Sequence, residues 1–291
     1  MRASFLPGPG RTVADRIKAV AMHELDLERG AVLERGCVYI AELQESLALP
    51  ADVVGRGNPK SSTGRLDIFV RLLTDGGVFD DVAPGYRGPM YLEIAPQTFS
   101  VLARAGTRLS QLRFKREGTA AKSSHHTLNV SVDLTQPLAG FRARRHAGVI
   151  DLDNVGGHDP RDFFEALEAR RGELLLDPGE FYILASKEAV EIPVMEFAEM
   201  TPIDPAVGEF RAHYAGFFDP GFGLKETGGE GSRAVLEVRS REAPFLLEDG
   251  QMVARLVFEP MAERPARIYG QGGSHYQRQG LKLSKHFRAW A

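Results

Sequence analysis

Residues 34–50, ERGCVYIAELQESLALP, align without a gap on residues 177–193, DPGEFYILASKEAVEIP. In this alignment Tyr39 stands opposite Tyr182. Shorter matches follow in the same order: Pro84-Gly85-Tyr86 with Pro220-Gly221-Phe222, Leu92-Glu93 with Leu236-Glu237, Gly106 with Gly250, and Phe114 with Phe258. Internal similarity decides the architecture of a chain, because each copy forms the same structural unit. The sequence therefore predicts a tandem duplication.

The predicted organisation has three parts. Residues 1–118 form the first copy, residues 119–158 connect the copies, and residues 159–291 form the second copy with a C-terminal tail. The second copy also carries an insertion at residues 224–232, which is rich in Gly and in charged residues. This composition is typical of a loop.

Within each copy the pattern favours β-strands. Residues 38–43, 90–94 and 233–239 are rich in β-branched and aromatic side chains, and Pro-Gly and Asp-Gly turn signals separate such runs. Many short strands indicate a mainly β fold, a sandwich or barrel-like jelly roll with a few short helices. The connecting part adds a predicted strand at residues 126–133.

A helix is predicted at the start of the second copy. Asp159 is a suitable N-cap and Pro160 a suitable first helical residue. Phe163, Phe164 and Leu167 would then share one apolar face. We expect this helix to pack against the second copy.

Composition excludes several classes of protein. The chain has 43% apolar and 26% charged residues and a net charge of −3, so no basic field recruits nucleic acid or a membrane surface. The single cysteine, Cys37, cannot form an internal disulfide. No signal-peptide core and no run of 18 apolar residues occurs. We therefore expect a cytoplasmic protein that binds neither nucleic acid nor membranes.

Residues 58–66, NPKSSTGRL, form the sharpest local signal for ligand binding. Lys60, Ser61, Ser62 and Arg65 bring two hydroxyls and two cations beside small residues, the groups that a phosphate chain needs. On spacing alone, an ordinary polar helix start with a Ser cap remains an equal alternative.

Together these segments resemble the dCTP deaminase branch of the trimeric dUTPase-like family. The motifs that carry the resemblance are residues 49–55, 58–66 and 84–93 in the first copy, and residues 215–223, 234–238 and 276–280 in the second. The resemblance implies two tandem jelly-roll copies of the β-clip type and hydrolytic deamination of dCTP to dUTP. It also implies a homo-oligomer with active sites at subunit interfaces, for which a trimer of two-copy chains is favoured.

The resemblance assigns roles to single residues. Ser61 and Arg65 match the family residues that contact substrate and help to position the water, and Glu237 matches the glutamate that shuttles the proton. Ala215 matches an alanine whose carbonyl orients that water. The predicted substrate and phosphate ligands are Lys60, Ser62, Asp219, Tyr269, Gln279 and Lys282. His275 replaces the usual Lys, and Lys282 or Lys285 could take over its contact.

The two copies depart from the family pattern in complementary ways. Phe79 stands in the first copy where the second has Ala215, and Pro202 and Ala206 stand where the second copy should have Ser and Arg. We therefore expect one working site composed of residues from both copies. Glu93 is an alternative catalytic glutamate, or else a structural carboxylate paired with Arg87 or Arg71.

The expected chemistry needs no protein-bound metal. Deamination requires a water deprotonated for attack and a proton for the departing ammonia, and one buried carboxylate can do both. Zinc deaminases carry H-x-E and P-C-x-x-C patterns, which a chain with one cysteine lacks. Magnesium is expected only on the triphosphate of the substrate. Residues 151–159 imitate a calcium loop, but Val155 occupies a ligand position and an ordinary loop is favoured.

Two other functions remain open. A dUTP diphosphatase, or a deaminase that also cleaves its product, would need an acid to activate water at the α-phosphate, and Asp67, Asp80 and Asp81 are available. A non-catalytic nucleotide-binding regulator is the third possibility. Complementary losses favour the deaminase, because random decay is not expected to leave one full set of ligands shared between copies.

Overall fold

Strands form most of the secondary structure in this computed structural model, which confirms the predicted mainly β class. The structure describes residues 1–116, 126–202, 211–213, 216–240 and 243–290, with the backbone alone at 211–213. The chain divides into two units, residues 1–120 with 147–158 and residues 121–146 with 159–291. Within the described ranges, no helix has both the length and the apolar character needed to cross a membrane.

The first unit contains three small sheets. Its elements are α1 (Val13–Val20), β1 (Ala31–Leu33), β2 (Tyr39–Ala48), β3 (Val53–Pro59), α2 (Ser61–Gly64), β4 (Ile68–Leu73), β5 (Asp81–Val82), β6 (Arg87–Pro96), β7 (Val101–Ala103) and β8 (Ser110–Arg116), with β11 (Ile150–Asp151) from the later segment. The strand orders are β2-β6-β4, β5-β3-β8 and β1-β7-β11.

The described residues of the second unit form sheets of five, four and two strands. Its elements are β9 (Thr127–Ser131), β10 (Gly140–Ala143), β12 (Phe164–Leu167), β13 (Glu173–Leu176), β14 (Tyr182–Val190), β15 (Glu196–Pro202), β16 (Arg211–His213), β17 (Phe217–Phe218), β18 (Ser232–Arg239), β19 (Phe245–Glu248) and β20 (Met252–Pro260). The orders are β12-β10-β14-β18-β16, β17-β15-β20-β9 and β13-β19. The strand predicted at residues 126–133 is confirmed as β9.

Both units pair equivalent strands in the same order. β6 lies between β2 and β4 as β18 lies between β14 and β16, and β3 lies between β5 and β8 as β15 lies between β17 and β20. The β2–β6 ladder is irregular between Glu42 and Ser46, and the β14–β18 ladder is irregular between Ala185 and Ala189. The two irregularities begin at the same distance from Tyr39 and Tyr182.

The segment between the strand-rich halves is part of both units. β9 and β10 lie in the second unit, where β9 pairs with β20 and β10 with β14. β11 lies in the first unit, where it pairs in parallel with β7. Residues 119–158, expected to connect the copies, thus contribute strands to each of them.

The core of the second unit lies on one face of β18. Ala234, Leu236 and Val238 are fully buried in the core cluster of this unit. Successive side chains of a strand point to opposite faces. Val235 and Glu237 therefore face away from that cluster.

The predicted helix at the start of the second copy is wrong. Asp159 does act as an N-cap, and its carboxylate accepts a hydrogen bond from the Arg161 N–H, but the helix is one 3-10 turn, Pro160–Asp162. The chain then continues as β12, which pairs antiparallel with β10. Sheet pairing of the buried Phe164 overrides the local helical pattern.

Candidate active site

The phosphate-binding candidates of the first unit lie on and beside α2. Ser61 is the first residue of this helix, and the N-cap is Lys60, whose side chain makes no cap hydrogen bond. The Thr63 hydroxyl donates to the Leu109 carbonyl at 2.8 Å and holds the helix against the start of β8. Arg65 follows the helix and is 3% exposed. The alternative of a Ser N-cap does not hold, because Ser61 lies inside the helix.

Glu93 of β6 is bound by an arginine of the neighbouring strand. Arg71 stands opposite Glu93 in the β4–β6 ladder, and its guanidinium donates to Oε1 from Nη2 at 2.6 Å and from Nε at 3.0 Å. The Ser4 hydroxyl donates to Oε2. Arg71 also lies over the ring of Phe79, 3.3 Å from its centroid. Of the two arginines considered as partners, the structure pairs Glu93 with Arg71.

The N-terminal segment covers this face of the first unit. Phe5 and Val13 pack with Leu73 and Tyr91 in a separate apolar cluster, against which Phe79 also packs. Tyr91 and Glu93 are two residues apart on β6, so their side chains point to the same face of the sheet. The face that bears Glu93 is thus filled by the chain itself.

Glu237 occupies the corresponding place in the second unit. It stands opposite Ile183 of β14, as Glu93 stands opposite Ile40 of β2. On its other side the backbone of His213 in β16 is in register with it. The side chain of Glu237 is 6% exposed. A buried carboxylate on an inner strand is a suitable proton carrier for general acid and base catalysis.

Asp219 and Tyr269 lie next to each other in the second unit. Asp219 directly follows β17, and the next residue, Pro220, accepts a hydrogen bond from the Tyr269 N–H at 2.7 Å. The ring of Tyr269 packs against Phe222 with their centroids 5.5 Å apart. The structure thus brings the C-terminal tail against the loop that begins at Asp219.

Gln279 is hydrogen-bonded to the beginning of β18, the strand that carries Glu237. The Arg233 N–H donates to the Gln279 carbonyl at 2.9 Å, and Gln279 Nε2 donates to the Arg233 carbonyl at 2.8 Å. Gln279 is 6% exposed. The tail segment that carries the predicted phosphate ligand is therefore hydrogen-bonded to the strand that carries the predicted proton shuttle.

Lys282 lies further along the tail. Its Nζ donates to the His275 carbonyl at 2.5 Å and lies 5.8 Å from the centroid of the Tyr276 ring. Lys282 is one of the two residues predicted to take over the contact of the Lys that His275 replaces. Here it contacts the backbone carbonyl of His275 and not the imidazole.

Some predicted residues lie outside the described part of the chain. These are Ala215 and Ala206. Among the described residues, no group of three or more His, Cys, Asp or Glu is placed to hold a metal ion. In the loop that imitates a calcium site, Arg104 donates to both Asp151 oxygens at 2.6 and 3.0 Å and to Asp153 at 2.9 Å. These hydrogen bonds lower the pKa of Asp151.

The acids available to a diphosphatase have structural partners. Asp67 accepts from the Thr98 hydroxyl at 2.5 Å, and Asp81 pairs with Arg56 at 2.5 Å. Asp80 accepts from the Leu72 N–H at 2.8 Å, and burial raises its pKa to about 6. All three belong to the first unit.

Several residues that shape these surroundings were not predicted from the sequence. Ser4 binds Glu93, and Arg233 and Gln277 hold the tail. Arg71 is one of the two partners predicted for Glu93. For Gln277 the sequence offers only the many glycines in the loop and the tail, which suggest that two backbones approach closely.

Two family models match the chain. One, described as "2'-deoxycytidine 5'-triphosphate deaminase (DCD) N-terminal domain", covers residues 1–118. The other, described as "2'-deoxycytidine 5'-triphosphate deaminase (DCD), C-terminal domain", covers residues 104–287. Together they account for nearly the whole sequence.

Similar proteins carry related descriptions. A "dCTP deaminase" of Shewanella amazonensis is 31% identical over 114 residues, which cover 38% of this chain and 56% of the relative. A "dCTP deaminase, dUMP-forming" of Beutenbergia cavernae is 29% identical over 109 residues, covering 37% of this chain and 54% of the relative. The chain thus spans about half the length of the curated relatives that it matches.

A solved structure matches over a longer range. The crystal structure of 2'-deoxycytidine 5'-triphosphate deaminase from Agrobacterium tumefaciens is 53% identical, with a TM-score of 0.83. The match covers 91% of this chain and 85% of the solved one. About half of the compared residues are therefore identical as well.

Proposed function

The chain belongs to the 2'-deoxycytidine 5'-triphosphate deaminase family, and from this premise we propose that it hydrolyses dCTP to dUTP and ammonia. One observation carries the proposal: Glu237 is buried on an inner strand, on the face away from the core, and the same strand binds Gln279 of the tail. This arrangement supports a site where a carboxylate and a triphosphate-binding segment act together.

In the proposed mechanism Glu237 carries two protons in turn. Its carboxylate accepts a proton from water as the oxygen attacks the amino-bearing carbon of cytosine, and gives this proton to the adjacent ring nitrogen N3. It then takes the proton of the new hydroxyl and gives it to the amino group, which leaves as ammonia while the ring carbonyl of uracil forms. A general acid and base of this kind contributes roughly 10²–10⁴-fold to the rate.

The remaining roles concern binding. Gln279, Tyr269 and Asp219 surround the junction of the tail with β18 and with the loop after β17, a position suited to holding the nucleotide. Lys282 supplies a nearby cation. Magnesium is proposed to bind the phosphate oxygens of the substrate, because Mg²⁺ prefers oxygen ligands.

Ser61 and Arg65 are proposed to serve the same reaction as Glu237, together with Lys60 and Ser62. The composite site, the water-orienting role of the Ala215 carbonyl and the homotrimer of two-copy chains all remain predictions. Combining Arg65→Ala with Glu237→Gln tests the first of these.

The two units are proposed to be copies of one ancestral unit. Their common order of strand pairing supports this, as do the matching places of Glu93 and Glu237 opposite Ile40 and Ile183. The limits of the copies, 1–118 and 159–291, stay a prediction. In the first copy we assign Glu93 a structural role, because Arg71 and Ser4 bind both of its oxygens.

A second candidate activity is supported by one of the relatives. The protein of Beutenbergia cavernae is described as dUMP-forming, so a deaminase of this family can release phosphate as well. The acids that such a step would recruit in the first copy, Asp67 and Asp81, are engaged by Thr98 and Arg56. We therefore rank deamination alone first.

Product analysis separates these functions. The purified chain is incubated with dCTP, dCMP or dUTP, and the change of base and the release of phosphate are followed separately. Deamination of dCTP alone supports the proposal, and diphosphate release from dUTP supports the second candidate. Nucleotide binding without either product would identify a regulator.

A further inference from the structure

The side chain of Gln277 joins the C-terminal tail to the loop between β17 and β18. Its Oε1 accepts from the Gly223 N–H at 3.0 Å, and its Nε2 donates to the Thr227 hydroxyl at 2.7 Å and to the Gly221 carbonyl at 3.1 Å. Both ends of one amide are therefore used within one loop. The Thr227 hydroxyl in turn donates to the carbonyls of Gly221 and Leu224 at 2.9 and 3.0 Å.

The loop that receives Gln277 folds on itself. This loop, residues 219–231, contains a 3-10 turn at Lys225–Thr227. It is closed by hydrogen bonds from the Gly229 N–H to the Leu224 carbonyl at 2.7 Å and from the Gly231 N–H to the Gly223 carbonyl at 2.8 Å. Its residues 224–231 belong to the insertion predicted for the second copy. The contact of Gln277 with Thr227 therefore has no counterpart in the first copy.

Glycines allow the loop and the tail to approach closely. A Cβ at Gly221 would lie 2.9 Å from the Ile268 side chain and 3.0 Å from the Tyr269 carbonyl, and one at Gly270 would lie 2.8 Å from the Thr227 carbonyl. Both glycines have positive φ, 93° and 94°. The contact is therefore built into the backbone on both sides.

The tail residues after Gln277 bind the first part of β18. The Arg278 N–H donates to the Ser232 hydroxyl at 3.0 Å, and Gln279 exchanges two hydrogen bonds with the backbone of Arg233. The guanidinium of Arg233 is itself held by Asp133 at 2.6 Å and by the Ser186 carbonyl at 2.7 Å. These hydrogen bonds hold the strand side of the contact, and Gln277 holds the loop side.

We propose that Gln277 is a positioning residue that docks the tail on the loop of residues 219–231 and so places Gln279 for the triphosphate of the substrate. The inference rests on the proposed function. Because a docked tail is already ordered before the nucleotide binds, less conformational entropy is lost on binding. The contact is made before and during the reaction, so it adds uniform binding and lowers KM without changing kcat.

Three variants test the inference. Gln277→Ala removes the amide, and Thr227→Val removes its hydroxyl partner at nearly constant shape. Thr227→Ser keeps the hydroxyl and should behave as the wild type. The matched control is Gln251→Ala, because the amide of Gln251 accepts from the Glu248 N–H at 3.2 Å in the β19–β20 turn of the same unit, away from the tail.

The first readout is steady-state kinetics with dCTP. We expect Gln277→Ala and Thr227→Val to raise KM about tenfold while kcat stays within about twofold. A fall in kcat at unchanged KM would overturn the inference, and so would a KM equal to that of Gln251→Ala.

The second readout is backbone hydrogen exchange of residues 268–285 without nucleotide. We expect faster exchange in Gln277→Ala, and none of this increase in Gln251→Ala. Unchanged exchange of the tail would overturn the inference even if KM rose. Since this readout needs no turnover, an inactive wild type would contradict the proposed function, whereas slow exchange in Gln277→Ala would contradict the docking role.

Discussion

Arg71 holds Glu93 through two hydrogen bonds from its guanidinium, at 2.6 and 3.0 Å, across neighbouring strands of the first unit. The carboxylate is 2% exposed and the arginine side chain 25% exposed. The guanidinium neutralises the charge of this carboxylate, and both carboxylate oxygens accept hydrogen bonds, Oε1 from Arg71 and Oε2 from Ser4. The glutamate that could carry the chemistry in the first unit is therefore held by structural contacts.

Glu93→Gln should lower stability without lowering turnover. Removing one partner of a fully buried ion pair costs about 3–5 kcal/mol. Here we expect about 1–3 kcal/mol, because Arg71 is partly exposed and the amide oxygen still accepts its hydrogen bonds. Urea unfolding measures the loss, with the exposed Glu45→Gln as control. A turnover per folded molecule reduced a hundredfold would return the catalytic role to Glu93.

Arg65→Ala should weaken nucleotide binding. A charge-assisted hydrogen bond contributes about 1.5–3 kcal/mol, so Kd for dCTP should rise by at least tenfold. Combined with Glu237→Gln, the Arg65 change should reduce turnover no further, because both residues serve one site in our account. Calorimetric titration measures Kd, and the exposed Arg35→Ala is the control. Additive losses of turnover would show two independent sites.

Asp80 predicts an unusual pH dependence of stability. Burial raises its pKa from 3.8 to about 6, so the folded protein binds this proton more tightly than the unfolded chain. Its contribution is present at low pH and is lost as pH rises through the interval from 3.8 to about 6. The Asp80→Asn variant should not lose this stability, because its amide does not titrate. Relative to wild type, the variant should gain about 1–3 kcal/mol between pH 4 and pH 7.

The test of this shift is urea unfolding of both proteins across that range of pH. A difference between variant and wild type that does not change with pH would show that the Asp80 carboxyl titrates normally. The Leu72 N–H keeps an acceptor in the variant, so loss of its hydrogen bond does not complicate the comparison.

Activity should depend on magnesium and not on zinc. Our account places the metal on the triphosphate of the substrate, where it neutralises charge, and gives the water to Glu237. Dialysis against a zinc chelator should therefore leave turnover unchanged, and omission of magnesium should lower it. Metal analysis of the purified protein is the control, since zinc in equal amount to protein, with activity that follows it, would refute this assignment.

The sequence alone predicted the strand-rich fold and the places of the two glutamates. β-branched and aromatic runs separated by turn signals favour strands, and the structure has strands there. The alignment of Tyr39 with Tyr182 put Glu93 and Glu237 at equivalent positions. The structure places each of them opposite an isoleucine of the paired strand.

Local pattern failed where distant contacts decide the structure. Phe163, Phe164 and Leu167 have helical spacing, yet pairing with β10 turns most of this segment into a strand. No local signal shows that Ser4 reaches Glu93, which is far away in sequence, or that Gln277 meets Gly223. Such contacts follow from the folded arrangement of strands and loops.

Turnover of dCTP by Glu237→Gln tests the central claim most directly. The amide keeps the shape of the side chain but cannot accept and return a proton. We predict that ammonia release falls at least about a hundredfold while Kd for dCTP stays within about threefold of wild type. Near-normal ammonia release by this variant would contradict the account, because the proton would then be carried by another group.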